Sequence, residues 1–144
     1  MGCWNMVIKV KGKITIYNKT KNKIELEKCN VVTLNGKNLI ADRLINDNSG
    51  YIDYLAIGNG SGTHDDTSTE LFNEIFRKQI TSKSSPGNKI VLKTDILSDE
   101  AVGNWTEIGL FNSSTGGVMS NVVNISYNHN VGDDVEVRWE IEIS

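Results

Sequence analysis

The sequence predicts a mainly β fold: an antiparallel β-sandwich with one short helix, about residues 34–45, covering an end or an edge. Three observations predict it. Apolar and polar residues alternate with period two over much of the chain, the signature of strands with one dry face. Asn and Gly are abundant and Pro occurs once, which favours many tight turns. Only one stretch carries apolar residues at helical spacing.

In chain order, Val7 to Tyr17 is rich in β-branched residues and reads as the first strand, with 1–17 as an N-terminal arm or edge strand able to pair with a neighbour's sheet edge. The turn Asn18 to Asn22 leads into Ile24 to Lys28, where Ile24 and Leu26 alternate with Glu25 and Glu27. From Leu34 to Ile45 the pairs Ile40/Leu44 and Ala41/Ile45 are four apart, with Thr33 as the cap and Asn46 to Gly50 as the stop. Tyr51 to Ile57 is a strand that ends at Gly58. A short helical turn over Thr69 to Ile75 would point Leu71, Phe72 and Ile75 inward. Phe76 to Ser84 and Lys89 to Leu97 flank the turn Ser85-Pro86-Gly87-Asn88. Thr106 to Asn112 and Val118 to Tyr127 flank Ser113 to Gly117. In the final strand Val135, Val137, Trp139, Ile141 and Ile143 alternate with Glu136, Arg138, Glu140 and Glu142. The 144 residues are read as a single domain, 1–144, which at this length buries roughly 68–70% of its unfolded surface.

Composition narrows function. A net charge of −3 gives no basic excess for phosphate neutralisation, so nucleic acid is a poor partner. Cys3 and Cys29 match no metal or redox spacing and read as free thiols. No apolar run approaches the length of a membrane span and no leader is recognised, so the expectation is a protein made in the cytoplasm with no membrane partner.

The motifs that tempt a chemical reading are weak. Gly58-Asn59-Gly60-Ser61-Gly62 follows a strand as a phosphate loop does, but Thr63-His64-Asp65-Asp66 follows it, with two carboxylates that repel a pyrophosphate and no lysine. His64, Asp65, Asp66 and Glu70 lie close without calcium-loop spacing, and read as solvated loop polarity with Asp66 or Ser68 as a cap. The two histidines, His64 and His129, fall in polar loops with no nucleophile beside them. The expectation is therefore no catalytic residue, no metal and no cofactor. Of the tryptophans, Trp139 lies on the apolar stripe as core, while Trp105 and Trp4 stand as exposed candidates for an interface or, alternatively, a sugar platform.

Three segments carry a resemblance. They are Tyr54-Leu55-Ala56-Ile57-Gly58-Asn59-Gly60, followed after an insertion by Thr69 to Arg77; Trp105-Thr106-Glu107-Ile108-Gly109-Leu110-Phe111-Asn112, then Gly116 to Met119; and Val137-Arg138-Trp139-Glu140-Ile141. Their order resembles small virion structural proteins of tailed bacteriophages, the tail-fibre or tail-associated β-sandwich proteins, over roughly residues 30–144. The resemblance implies a non-enzymatic virion protein, a homo-oligomer assembling with other phage structural proteins in the tail, as a fibre or baseplate adaptor or cap. A capsid decoration or head-fibre protein is the alternative, and a carbohydrate-binding sandwich meeting a host glycan the second. The chain carries no heptad or collagen-like repeat, so a compact module without a shaft is expected. Candidate interface residues are Trp4, Trp105, Asn59, Ser61, His64, Asp65 and Asp66. Structural roles are expected for Gly58 and Gly60, which let the chain leave its sheet, for Glu74 pairing with Arg77, for Glu107 meeting a cation such as Arg77, and for Trp139.

Overall fold

A computed structural model describes residues 8–45 and 50–144. These form ten strands and one helix. In order they are β1 (Val10–Asn18), β2 (Lys23–Cys29), β3 (Val31–Val32), α1 (Leu34–Leu44), β4 (Tyr54–Gly58), β5 (Glu74–Gln79), β6 (Ser82–Ser84), β7 (Lys89–Ile96), β8 (Gly103–Phe111), β9 (Met119–His129) and β10 (Val135–Ile143). They pair antiparallel in two five-stranded sheets, β2-β1-β10-β7-β6 and β3-β9-β8-β4-β5.

The period-two reading of the last strand holds from Val135 to Ile141, whereas Ile143, expected on the same dry face, is exposed. Val135, Val137, Trp139 and Ile141 are 0–3% exposed and face the other sheet. They meet Ile14 and Ile16 of β1, Leu92 and Ile96 of β7, and Leu55, Ile57, Trp105, Ile108 and Leu110 of the facing sheet. Each large apolar side chain so buried contributes roughly 1.5–3 kcal/mol.

Both lateral seams of the sandwich are closed by chain that changes sheets. The amide of Ile80 bonds the Asp53 carbonyl beside β4, and the next amide, Thr81, bonds the Lys93 carbonyl of β7 in the other sheet. The stretch expected as one strand from Phe76 to Ser84 is thus two strands in two sheets, with buried Ile80 at the crossing. On the opposite seam Asn30 donates to the Gly12 carbonyl and Val31 already pairs with β9. The placement of the first strand at an edge needs correction: β1 lies between β2 and β10, hydrogen-bonded on both sides, while residues 1–7 of the expected arm lie outside the described residues.

Thr33 caps α1 as its hydroxyl chemistry predicts, accepting from the Gly36 amide at 2.9 Å and donating to the Met119 carbonyl at 2.6 Å. The packed face is not the expected one. Gly36 and Leu39 are buried against β9, while Leu44 and Ile45 are more than three-quarters exposed. Gly36 sets this choice. A Cβ there would run into the Ser120 carbonyl, so only glycine lets the helix backbone come this close to the strand.

Candidate functional site

The outer face of the β3-β9-β8-β4-β5 sheet carries the site, and a bulge creates it. Trp105 pairs with Tyr127 and Glu107 with Asn124, so β9 spends one residue more than β8 between these rungs. The shift leaves Trp105 facing the inter-sheet core and turns Glu107 outward, opposite Gly58 of β4.

Glu107 is fully buried all the same, beneath the loop of residues 59–73. Its Oε2 accepts from the amides of Asn73 at 2.9 Å and Gly60 at 3.1 Å. Its Oε1 accepts from the Phe72 amide at 2.8 Å and lies 2.7 Å from His64 Nε2. Four donors thus fill the carboxylate's acceptor sites. Burial alone would raise this carboxyl, but the His64 bond and the three amides outweigh it and hold it below the ordinary glutamate range. Gly58 and Gly60 are glycine for space. Neither has positive φ, but a Cβ at Gly58 would strike the Glu107 carboxylate, and one at Gly60 would stand 2.5 Å from the Phe72 Cβ.

His64 is 6% exposed, with Phe72 stacked on its ring at 4.4 Å. Its amide donates to Asn124 Oδ1 at 2.7 Å, and Asn124 Nδ2 returns a bond to the Gly62 carbonyl at 2.9 Å. Ser68 Oγ lies 3.0 Å from His64 Nδ1, so Ser68, His64 and Glu107 fall in the order of a hydroxyl–imidazole–acid relay. The chemistry differs from a nucleophile's. Ser68 Oγ also accepts the Asp65 amide at 3.1 Å, as part of one local turn, and the imidazole is roofed by Phe72. The arrangement works as a latch that fastens the loop to the sheet.

A second anchor lies beside it. Arg77 of β5 grips Glu74 through Nε at 2.9 Å and Nη2 at 2.7 Å, as their spacing predicts. Its Nη1 donates to the carbonyls of Ser113 and Gly116, and the guanidinium lies 3.8 Å over the Phe111 ring. Arg77 thereby ties the β8–β9 hairpin to the neighbouring edge strand.

Several expectations need correction. Glu107 meets His64 and backbone amides in place of Arg77. His64 is interior, not a solvated loop residue. Trp105 is 0% exposed, packed against Tyr127 and His129 with its Nε1 donating to the Ala101 carbonyl at 2.6 Å, so it is neither an interface anchor nor a sugar platform. Residues 69–73 form no helix, and β5 begins at Glu74; Leu71 packs inward while Phe72 and Ile75 are about half exposed. Asp65 caps its own turn by accepting the Thr67 amide at 2.9 Å, and the Thr67 bonds hold its carboxyl below the usual range. Asp66 offers its carbonyl to the Leu34 amide at the start of α1. Asn59, Ser61, Asp65 and Asp66 are exposed, and Trp4 lies outside the described residues. Among the described residues no helix is long and apolar enough to cross a membrane, and no group of three or more His, Cys, Asp or Glu stands together as a metal site.

Asn124 escapes the sequence reading, as do the contacts of Ser68 and Phe72 with His64. Asn124 leaves a signal as a polar residue within the apolar run of β9, where it is half-buried and its amide is paired on both sides.

The fold is thus a β-sandwich whose most distinctive sequence segments build a latched loop. The family described as phage tail-collar fibre protein, N-terminal, matches residues 26–131, well over half of the chain, and the protein belongs to it. It is a tail-associated phage structural protein, which implies a virion component. The resembling segments at 54–77 and 105–119 fall inside the match, whereas β10, with Trp139, falls beyond it. No curated protein and no solved structure matches the chain.

Proposed function

We propose that the chain is a non-enzymatic adaptor or cap of the tail, joining fibre to baseplate through protein–protein contacts in several symmetric copies. The observation that carries this reading is the match to the tail-collar fibre family across the latched loop and the Arg77 anchor. Both devices use residues of the matched range, Gly58, Gly60 and Glu107 in one and Glu74 and Arg77 in the other, to tie loops to the sheet, as a surface that docks against a neighbour requires. The exposed residues of the loop, Asn59, Ser61, Asp65 and Asp66, form the lip offered to that neighbour. Point-group symmetry is the usual way identical domains assemble.

Purified particles test the proposal. The chain is expected in the particle fraction, with gold-labelled antibody at the tail. Its absence from particles refutes the reading, and label on the capsid replaces it with a decoration role.

A further inference from the structure

Where α1 meets the open end of the sandwich there is a cleft of about 590 Å3. Leu39 and Ile40 of α1, Ile90 and Leu92 of β7 and Ile141 of β10 make its walls aliphatic. Asn121 of β9 also lines it, at 2% exposure. Its Oδ1 accepts from Ser120 Oγ at 2.8 Å, but its Nδ2 has no hydrogen-bond partner among the described residues. A buried amide donor in an aliphatic cleft is costly unless an acceptor reaches it.

At the rim Leu44 is 83% and Tyr51 60% exposed, with Arg43 and Lys83 over the Tyr51 ring and Ser84 and Ser85 alongside. A shallower groove shares Val10 and Ile40 with the cleft and continues past Ile8, Lys9, Lys11 and Lys37. None of these lysines is in an ion pair with a described residue.

We propose that this groove docks a segment of a partner polypeptide that inserts a tyrosine and carries acidic residues beside it. The proposal rests on the assembly reading above. The aliphatic walls take an aromatic ring, and an oxygen at the ring's tip would match the Asn121 amide left unsatisfied among the described residues. The exposed side chains of Leu44 and Tyr51 carry apolar surface beyond what a small ligand in the cleft would cover, which selects a polypeptide. The three lysines select acidic flanks by charge complementarity.

Labelled protein titrated with acetyl-Glu-Leu-Tyr-Leu-Glu-amide, and with its Phe counterpart, tests this by NMR. Saturable shifts are expected at the Asn121 side-chain amide and at the methyls of Leu39, Leu92 and Ile141. The Tyr peptide should bind about fivefold or more tighter than the Phe peptide, and both should weaken in high salt. Asn121→Leu should bind the two peptides equally while its amide spectrum reports an intact fold. Leu39→Trp, which fills the cleft from the helix, should abolish binding, and provides the test if Asn121→Leu fails to fold. The proposal is overturned by the absence of cleft shifts with both peptides, by equal affinities in the wild type, by undiminished binding to Leu39→Trp, or by dodecanoate binding more tightly than either peptide. A chain found in particles yet blind to both peptides would sink the groove and leave the assembly reading standing.

Discussion

Replacing Glu107 by Gln keeps the side chain's shape and changes one oxygen into a donor. Each carboxylate oxygen accepts two bonds, so the new amide group must face two donors wherever it sits. Placed toward His64 and Phe72, it can be met by the other imidazole tautomer, but the Phe72 amide is left orphaned. Placed toward Gly60 and Asn73, it orphans two amides. Hydrogen bonds to a charged group are worth about 1.5–3 kcal/mol each and a buried orphan donor costs about 1–3 kcal/mol, so the variant should lose roughly 3–5 kcal/mol. For a domain of this size that corresponds to about 6–20 °C in Tm. Urea unfolding gives the energy, and amide exchange locates it: Gly60, Phe72 and Asn73 should lose protection before the core strands. The pH dependence has a definite sign. The folded Glu107 carboxyl lies below its unfolded value, so its contribution is complete above the unfolded range and is lost as pH falls through the folded value. Wild type should therefore weaken in acid more than Glu107→Gln does. A loss under about 1 kcal/mol, with loop amides still protected, would refute the latch.

Other perturbations should sort as follows. Arg77→Lys removes the two-pronged grip on Glu74 and the bonds to the Ser113 and Gly116 carbonyls, and should cost about 1–2 kcal/mol by urea unfolding with added mobility at residues 113–117 by NMR. Gly36→Ala drives a Cβ into the Ser120 carbonyl and should cost about 1–3 kcal/mol, with β9 amide shifts near Ser120. Trp105→Ala should cost about 3–5 kcal/mol in thermal or urea unfolding, as a core deletion does. A glycan array on which wild type binds and folded Trp105→Ala does not would contradict the interior placement.

The sandwich is readable from the sequence because strand period and turn chemistry are local. Val135 to Ile141 could be assigned face by face, and Thr33 announces its helix through its own hydroxyl. The crossing at Ile80 leaves no such mark, since a strand that passes from one sheet to another keeps its alternation. The helix face misleads because Gly36 contributes no hydrophobic signal, although its lack of a side chain determines the contact. Glu107 illustrates a deeper limit. In sequence it alternates opposite Ile108 as a surface glutamate would, and a one-residue bulge together with a loop some 40 residues away makes it a buried hub. Asn59 and its exposed neighbours were recognisable as loop polarity, whereas the partners of His64 depend on tertiary approach.

The pairing of β1 with β10 has a consequence for how the molecule forms. The first and last strands are neighbours across nine registered positions, from Val10 opposite Ile143 to Asn18 opposite Val135. During synthesis β1 emerges early, with Ile14 and Ile16 waiting for a partner that appears more than a hundred residues later. The β3-β9-β8-β4-β5 sheet can assemble from the middle of the chain, but its companion closes only when β10 slots between β1 and β7. Such non-local closure places folding in the slower, millisecond-to-second class, and in the interval β1 and β7 present unpaired edges to every other nascent copy.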